Sequence, residues 1–183
     1  MRELASGETR DEVRIAANDQ EMHMAKKTES ENLTPEAQLE AFLARFDAKE
    51  QKLIRSVRTA LKKRFPTANE LAYDYADSVV IAYSPTENGI DGVVSFAARA
   101  DGLRLYFMNG PKLADPKKLL QGTAKQVRFV VLESARQIAH PDVEALIAAA
   151  EGLAKVAMPK QGQGALFVKG AAAKPKAKKK PAK

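Results

Sequence analysis

Residues 71–108 contain four short segments rich in β-branched and aromatic residues, and brief turns separate them. Connections this short join antiparallel neighbours, since a parallel pair needs a long crossover. The Asp101-Gly102 pair between the third and fourth segments is the strongest hairpin signal in the chain. The chain therefore predicts a mostly antiparallel sheet, with strands over residues 71–75, 78–84, 93–99 and 103–108.

Helical periodicity precedes these strands. Thr34 and Pro35 indicate a helix start, because Thr caps well and Pro fits the first helical position. Asp47 and Glu50 predict a second start with a capping box. Pro66 ends that second helix.

A fifth strand over residues 125–132 and a last helix from Pro141 complete the pattern. Alternation in the fifth strand puts Phe129 and Arg128 on opposite faces. This order predicts an α+β fold, a mostly antiparallel five-stranded sheet packed against N-terminal and C-terminal helices. We expect the helices to cover one face of the sheet and the other face to stay partly open.

Positive charge is concentrated at the C-terminal end of the chain. The last 24 residues contain eight lysines and no acidic residue, whereas the whole chain has a formal net charge of +7. The middle of the chain is nearly neutral, and its N-terminal part is polar without a sustained apolar period. The sequence predicts a disordered N-terminal extension (residues 1–32), an α+β domain (33–158) and a flexible lysine-rich tail (159–183). Within the tail segment, residues 162–168 either form a short strand or simply link the lysines to the domain.

Composition excludes several classes of site and location. The chain has no cysteine, so disulfides and cysteine-ligated metals are excluded. No apolar run approaches the roughly 20 residues that span a bilayer, and residues 1–23 lack the apolar stretch of a secretory signal. We therefore expect a cytoplasmic protein that does not bind membranes. Met24-Ala25-Lys26-Lys27 looks like a bacterial protein start, so residues 1–23 are either an upstream extension or a genuine arm.

Several stretches form a pattern that runs through the predicted domain. A hydrophobic-aromatic strand ends in Gly110, a loop ends in Leu120-Gln121-Gly122, and a Lys-x-x-Arg strand and an Ala-rich helix follow. This pattern resembles the YdhG-like family, a bacterial domain family of unknown function. The matching residues are 103–110, 113–122, 125–128 and 146–150.

The resemblance implies a frataxin-type fold, an antiparallel sheet backed by terminal helices. Some members of the family are linked to intracellular iron delivery, so the resemblance makes an iron-binding chaperone an alternative function. Family members often carry a Tyr-Gly pair before the second strand, where this chain has Tyr75-Ala76. The resemblance implies no catalytic residues.

Aromatic and cationic side chains predict a ligand site on the less hydrophobic face of the sheet. Cations beside phenols suit a small anion or an acidic peptide. The alternative is that Tyr106 is half-buried packing, while Arg104 and Arg128 are solvated or pair with carboxylates. The candidate ligand-binding residues are Tyr73, Arg104, Tyr106, Lys125 and Arg128.

Motifs for catalysis and for metal binding are missing from the sequence. It has no Cys-His pair, no Gly-x-Ser-x-Gly elbow and no phosphate loop, so we predict a protein that is not an enzyme. Iron needs several carboxylate oxygens on one surface. Arginines and lysines on the same helices would neutralise such a surface, so no metal ligand is assigned. The carboxylates considered are Asp74, Asp77, Asp91, Asp101, Glu36, Glu40, Asp47 and Glu50.

The lysine-rich end offers a second kind of binding. Lysines near a polyanion displace condensed counterions, which predicts weak, sequence-blind nucleic-acid binding; the alternative is a solubilising tail. The sequence as a whole predicts a non-enzymatic binding or accessory domain with a small-molecule or protein ligand on the sheet face. The lysines concerned are Lys174, Lys176, Lys178, Lys179, Lys180 and Lys183.

Overall fold

The structure is a computed structural model that describes residues 33–169. The predicted extension, residues 1–32, and residues 170–183 of the predicted tail lie outside this part. The helices are α1 (Pro35–Leu43), α2 (Ala48–Arg64) and α3 (Pro141–Gly152). The strands are β1 (Asn69–Tyr75), β2 (Ser78–Ser84), β3 (Val94–Arg99), β4 (Gly102–Met108), β5 (Val127–Leu132) and β6 (Leu166–Lys169).

The strands form one six-stranded sheet in the order β5-β4-β3-β2-β1-β6. Strands β1 to β5 pair antiparallel with their neighbours along the chain. The predicted hairpin turn joins β3 and β4, where Gly102 has a φ of 118°, a value that L side chains rarely adopt. The α+β prediction is confirmed, and the five predicted strands are all present.

The sixth strand makes the sheet mixed and corrects the prediction of five strands. β6 pairs parallel with residues 70–73 of β1, although it lies in the segment assigned to the tail. The amide of Ala165 donates to Asn69 Oδ1 at 3.1 Å, and the amide of Glu70 donates to the carbonyl of Ala165 at 2.9 Å. Of the two alternatives for residues 162–168, the structure has the short strand, but four residues are too few for alternation to choose between them in the sequence.

The helix starts follow the predicted chemistry. Thr34 Oγ1 accepts a hydrogen bond from the amide of Ala37 at 3.3 Å. At the start of α2, the amide of Glu50 donates to Asp47 Oδ1 at 2.8 Å and the amide of Asp47 donates to Glu50 Oε2 at 3.0 Å. The predicted capping box is therefore confirmed, and it fixes where α2 begins.

Side chains alternate between the two faces along each strand, so the two faces of the sheet carry different residues. The buried residues of all three helices join one cluster with sheet residues such as Ile81, Phe96 and Leu105. Among residues 33–169, no α-helix buries a residue against the opposite face, which we call the helix-free face. One row across it consists of Tyr73, Val80, Ala97, Arg104 and Val131.

A substitution at Gly164 tests whether β6 packs against β1 as described. A Cβ at this position would overlap the carbonyl oxygen of Ala68, so Gly164→Ala should push β6 away from β1. We expect faster amide hydrogen exchange in peptides covering residues 165–169, with the exchange of α2 unchanged. Gly152→Ala is the control, because a Cβ there meets open space. Unchanged exchange in β6 of the Gly164→Ala protein would contradict this docking.

Candidate functional site

Arg104, Tyr106 and Phe129 form a compact cluster on the helix-free face. The guanidinium of Arg104 lies over the Phe129 ring at 5.0 Å, and the rings of Tyr106 and Phe129 are 5.4 Å apart. A hydrogen bond with Tyr106 is the largest cause that raises the pKa of Arg104, and Asp101 adds to it. Arg104 also donates to Asp101 Oδ2 at 2.5 Å. The cluster presents an amphipathic surface with a largely neutralised cation.

Tyr73 belongs to a second aromatic pair on the same face. Its ring stacks on Tyr75 with centroids 6.0 Å apart and planes 15° apart. Burial raises the pKa of Tyr73, and Tyr75 contributes a smaller effect. Strands β2 and β3 separate Tyr73 from Arg104, so about 14 Å lies between the two aromatic pairs.

Small side chains lie between these pairs. Val80 and Ala97 link Tyr73 to Arg104 in one row, and Ala82 and Ser95 lie in the next row. We call this surface the trough, because smaller side chains lie between larger aromatic ones. Its lining residues are Tyr73, Tyr75, Val80, Ala82, Ser95, Ala97, Arg104, Tyr106, Phe129 and Val131.

A short loop closes one end of the trough. The 3-10 helix Gly89–Asp91 brings Gly89 against the Tyr73 hydroxyl, and Gly92 lies near the side chain of Ala82. A Cβ on Gly89 would clash with that hydroxyl, so this approach needs glycine. Ile90, on the same loop, is 74% exposed. The closed end therefore presents an apolar side chain to solvent.

One of the five predicted site residues, Arg128, lies on the opposite face of the sheet from the trough. Arg128 pairs in register with Phe107, a fully buried residue of the helix-covered face, so it projects on the opposite side from Tyr106. Its guanidinium donates to the carbonyls of Ala124 and Val127. Lys125 is exposed in the loop before β5. The structure brings together Arg104 and Tyr106, and it places Tyr73 across the trough from them.

The candidate carboxylates for iron are mostly occupied by other groups. Asp74 pairs with Arg45, Asp77 with Arg99, and Asp101 with Arg104. Others serve as caps or pair with arginine on the helices. Within residues 33–169, no three His, Cys, Asp or Glu side chains are grouped closely enough to hold a metal ion. These contacts do not favour the iron alternative.

A buried polar network on the helix-covered face escaped the sequence analysis. Arg58 donates to both carboxylate oxygens of Glu70, at 2.9 Å and 2.7 Å. The hydroxyl of Tyr83 donates to Glu70 Oε1 at 3.0 Å, and Lys62 Nζ lies 3.2 Å from Oε2. Only 3% of Glu70 is exposed, so the network is sealed under α2. The one sequence signal was a charged residue, Glu70, two positions before the inward-facing Ala72.

Comparisons of the chain with family models, curated proteins and solved structures find no match. The resemblance to the YdhG-like family accordingly stays a prediction based on the residues quoted above. In the part of the chain that the structure describes, no helix has both the length and the apolar character to cross a membrane. The six lysines predicted to bind nucleic acid, residues 174–183, lie outside the described part.

Removal of Glu70 should destabilise the fold strongly. Glu70→Ala removes the carboxylate to which Arg58 and Tyr83 donate in a largely buried position, and the loss of one member of such a pair costs about 3–5 kcal/mol in unfolding free energy. Tyr83→Phe removes a hydrogen bond to the charged Glu70 carboxylate and should cost about 1.5–3 kcal/mol. Urea denaturation measures both. Arg55→Ala, which breaks the exposed pair with Glu40, is the control and should have a much smaller effect. Equal losses for Glu70→Ala and this control would refute the network's role.

Tyr83 also makes stability depend on alkaline pH. Burial, with a further effect of Glu70, raises its pKa well above the usual 10.0. Above the usual tyrosine pKa, the unfolded chain releases the phenolic proton while the folded chain keeps it. The unfolding free energy therefore falls as the pH rises. We expect this fall to be shallower in Tyr83→Phe. Urea denaturation at several pH values between about 8 and about 11 checks this. The range runs from about two units below the usual tyrosine pKa to about one unit above it. Parallel curves for the two proteins would contradict the assignment.

Proposed function

We propose that this chain is a non-enzymatic binding module, and that its trough binds an amphipathic helix of a partner protein. The observation that supports the proposal is the pair of aromatic clusters, Tyr73–Tyr75 and Tyr106–Phe129, on either side of a floor of small residues. An α-helix with its side chains is about 10–12 Å in diameter. The backbones of β1 and β4, which carry Tyr73 and Tyr106, are roughly 14 Å apart, a separation comparable with that diameter.

Charge favours a protein segment over a small anion. Arg104 is the predicted cation that lines the trough, and Asp101 already accepts its hydrogen bond. Arg128 lies on the opposite face of the sheet. A free anion would have to displace Asp101, whereas apolar side chains can cover the rings without breaking that contact.

The free energies of burial and of lost freedom nearly cancel, so the binding should be weak and transient. Covering about 50 Å² more of each of four half-buried rings contributes on the order of 5 kcal/mol at about 25 cal/mol per Å². Lost translational and rotational freedom offsets about 4 kcal/mol or more. Contacts with Ile90 and Val131, which are exposed, add to the favourable side. We therefore expect a dissociation constant in the millimolar range, which corresponds to a binding free energy of about 4 kcal/mol.

The non-enzymatic part of the proposal is supported by where the perturbed groups lie. Tyr83 has the most strongly raised pKa, and it is completely buried against Glu70 under α2. A ligand in the trough is separated from it by the sheet. Tyr73 has a raised pKa, so at neutral pH it is protonated and can serve as a hydrogen-bond partner but not as a base.

Site-specific photocrosslinking in cells tests the proposal. Val131, at the rim of the trough and 37% exposed, is replaced by benzoylphenylalanine; the control places it at Val156, which is 39% exposed. We expect a crosslinked partner from position 131 only, and the trapped peptide should have an apolar helical stripe. That peptide is then synthesised and titrated into the wild type and Tyr106→Ala. We expect at least tenfold weaker binding to the variant, which loses a ring contact of about 0.5–1.5 kcal/mol in addition to buried area.

Three outcomes would overturn the proposal. One is equal crosslinking from positions 131 and 156. A second is a crosslink from position 131 to residues 1–32 of this chain, which would mean that the trough is covered internally. The third is a trapped peptide that binds wild type and Tyr106→Ala with the same affinity.

A further inference from the structure

The two edges of the sheet are covered to different degrees. Along β5, the amide of Gln121 donates to the carbonyl of Phe129 at 2.8 Å, and the amide of Phe129 donates to the carbonyl of Gln121 at 3.1 Å. β6 lies at the opposite edge, and no residue in the range 33–169 pairs with its outer side. An edge strand without such a cover is a template for a further strand. The outer side of β6 is therefore a candidate interaction surface.

The pairing of β6 with β1 determines which backbone groups point outward. The amide of Glu70 donates to the carbonyl of Ala165 at 2.9 Å. In a parallel ladder alternate residues of a strand bond to the neighbour, so the odd-numbered residues of β6 also face β1. The N–H and C=O groups of Leu166 and Val168 point the other way. Each chain thus presents two donors and two acceptors in a row, which have no partner within the described residues.

The side chains along this edge are mostly apolar. Leu166 and Val168 pack against the core and remain partly exposed. Lys169 is in register with Tyr73, so Lys169 and Phe167 lie on the helix-free face, where the lysine Nζ is 5.2 Å from the centre of the phenyl ring. Residues 166–168 include no proline and no charge, two of the features by which natural edge strands avoid pairing.

We propose that β6 pairs antiparallel with β6 of a second copy of this chain, across a two-fold axis that passes beside Phe167. In that register Leu166 of each copy exchanges hydrogen bonds with Val168 of the other, so every outward group of these two residues is satisfied. Phe167 lies opposite Phe167 of the second copy at a closely spaced, non-hydrogen-bonded position, where an aromatic pair stabilises the sheet. This surface is separate from the trough, and the proposal does not depend on what the trough binds.

Charge and side-chain order favour this register. Lys169 lies opposite Ala165 of the second copy, so the two lysines do not face each other. A register centred on Leu166 would instead place Val168 opposite Gly164, which offers no side chain to contact. The contact centred on position 167 is self-complementary, as a two-fold interface requires.

The size of the contact indicates a weak dimer. Each copy contributes a strand of four residues, whereas a standard interface buries about 800 Å² on each partner. We therefore expect the dimer to form at high protein concentration and to dissociate on dilution.

A charge swap at position 167 tests the proposal in the full chain, because this position faces itself across the axis. Phe167→Lys and Phe167→Glu each remove the ring pair and oppose like charges, so each variant alone should dimerise about tenfold more weakly than the wild type. An equimolar mixture brings opposite charges together and should associate about fivefold more strongly than either variant alone. Sedimentation equilibrium between about 10 µM and about 1 mM protein measures these constants.

The matched controls are Val156→Lys and Val156→Glu, at a position that is 39% exposed and outside the strands. They should leave the dimer unchanged, both alone and mixed. Melting curves confirm that all four variants fold like the wild type.

Amide hydrogen exchange resolved by NMR locates the contact in the wild type. Exchange at Leu166 and Val168 should slow as the protein concentration rises, whereas exchange at Phe167, which bonds to β1, should change little.

Four results would overturn the proposal. The wild type could stay monomeric over the whole concentration range, or form a dimer that neither charge variant weakens. The mixture could associate no better than the separate variants. Exchange at Leu166 and Val168 could be slow at every concentration, which would mean that another segment of the same chain covers this edge.

Discussion

The Glu70 carboxylate on the inner face of the sheet governs how the layers are arranged. A charge at a position this buried is tolerated only where partners satisfy it, and Arg58 of α2 and Tyr83 of β2 supply the hydrogen bonds. Buried ion pairs often contribute little net stability compared with apolar residues, but the loss of one partner is costly. The pair therefore acts mainly as a register: α2 packs over β1 and β2 so that Arg58 meets Glu70, and the helices cover that face.

Two surfaces with different chemistry follow from this arrangement. The helix-free face keeps its aromatic side chains outward, and Arg104 on this face is engaged by Asp101 and lies over Phe129. The outer side of α2 instead carries cations without ion pairs within the described residues, Lys49 and Lys52 among them.

The sequence predicted the helices, strands and turns better than it predicted which face of the sheet each side chain occupies. Alternation, the turn at Gly102 and the cap at Asp47 are short-range signals, and all agree with the structure. β5 is an example in which short-range signals do not decide the structure. Its sequence, Val-Arg-Phe-Val-Val-Leu, has apolar residues on both faces, so alternation alone does not decide whether Phe129 or Val130 points inward. The choice depends on pairing with β4, a tertiary contact. The Glu70 network is likewise invisible locally, because Arg58 and Glu70 meet only when α2 packs on the sheet.

The central claim is that the helices cover one face of the sheet and leave the other accessible to a partner. Methyl NMR of the full chain with a soluble gadolinium chelate tests it most directly. Val80 and Val131 lie on the helix-free face, whereas Ile81 and Leu105 are completely buried under the helices. The account predicts strong relaxation enhancement for the methyl groups of Val80 and Val131, and almost none for those of Ile81 and Leu105. Equal protection of both sets would show that another part of the chain covers the trough, and it would contradict the account.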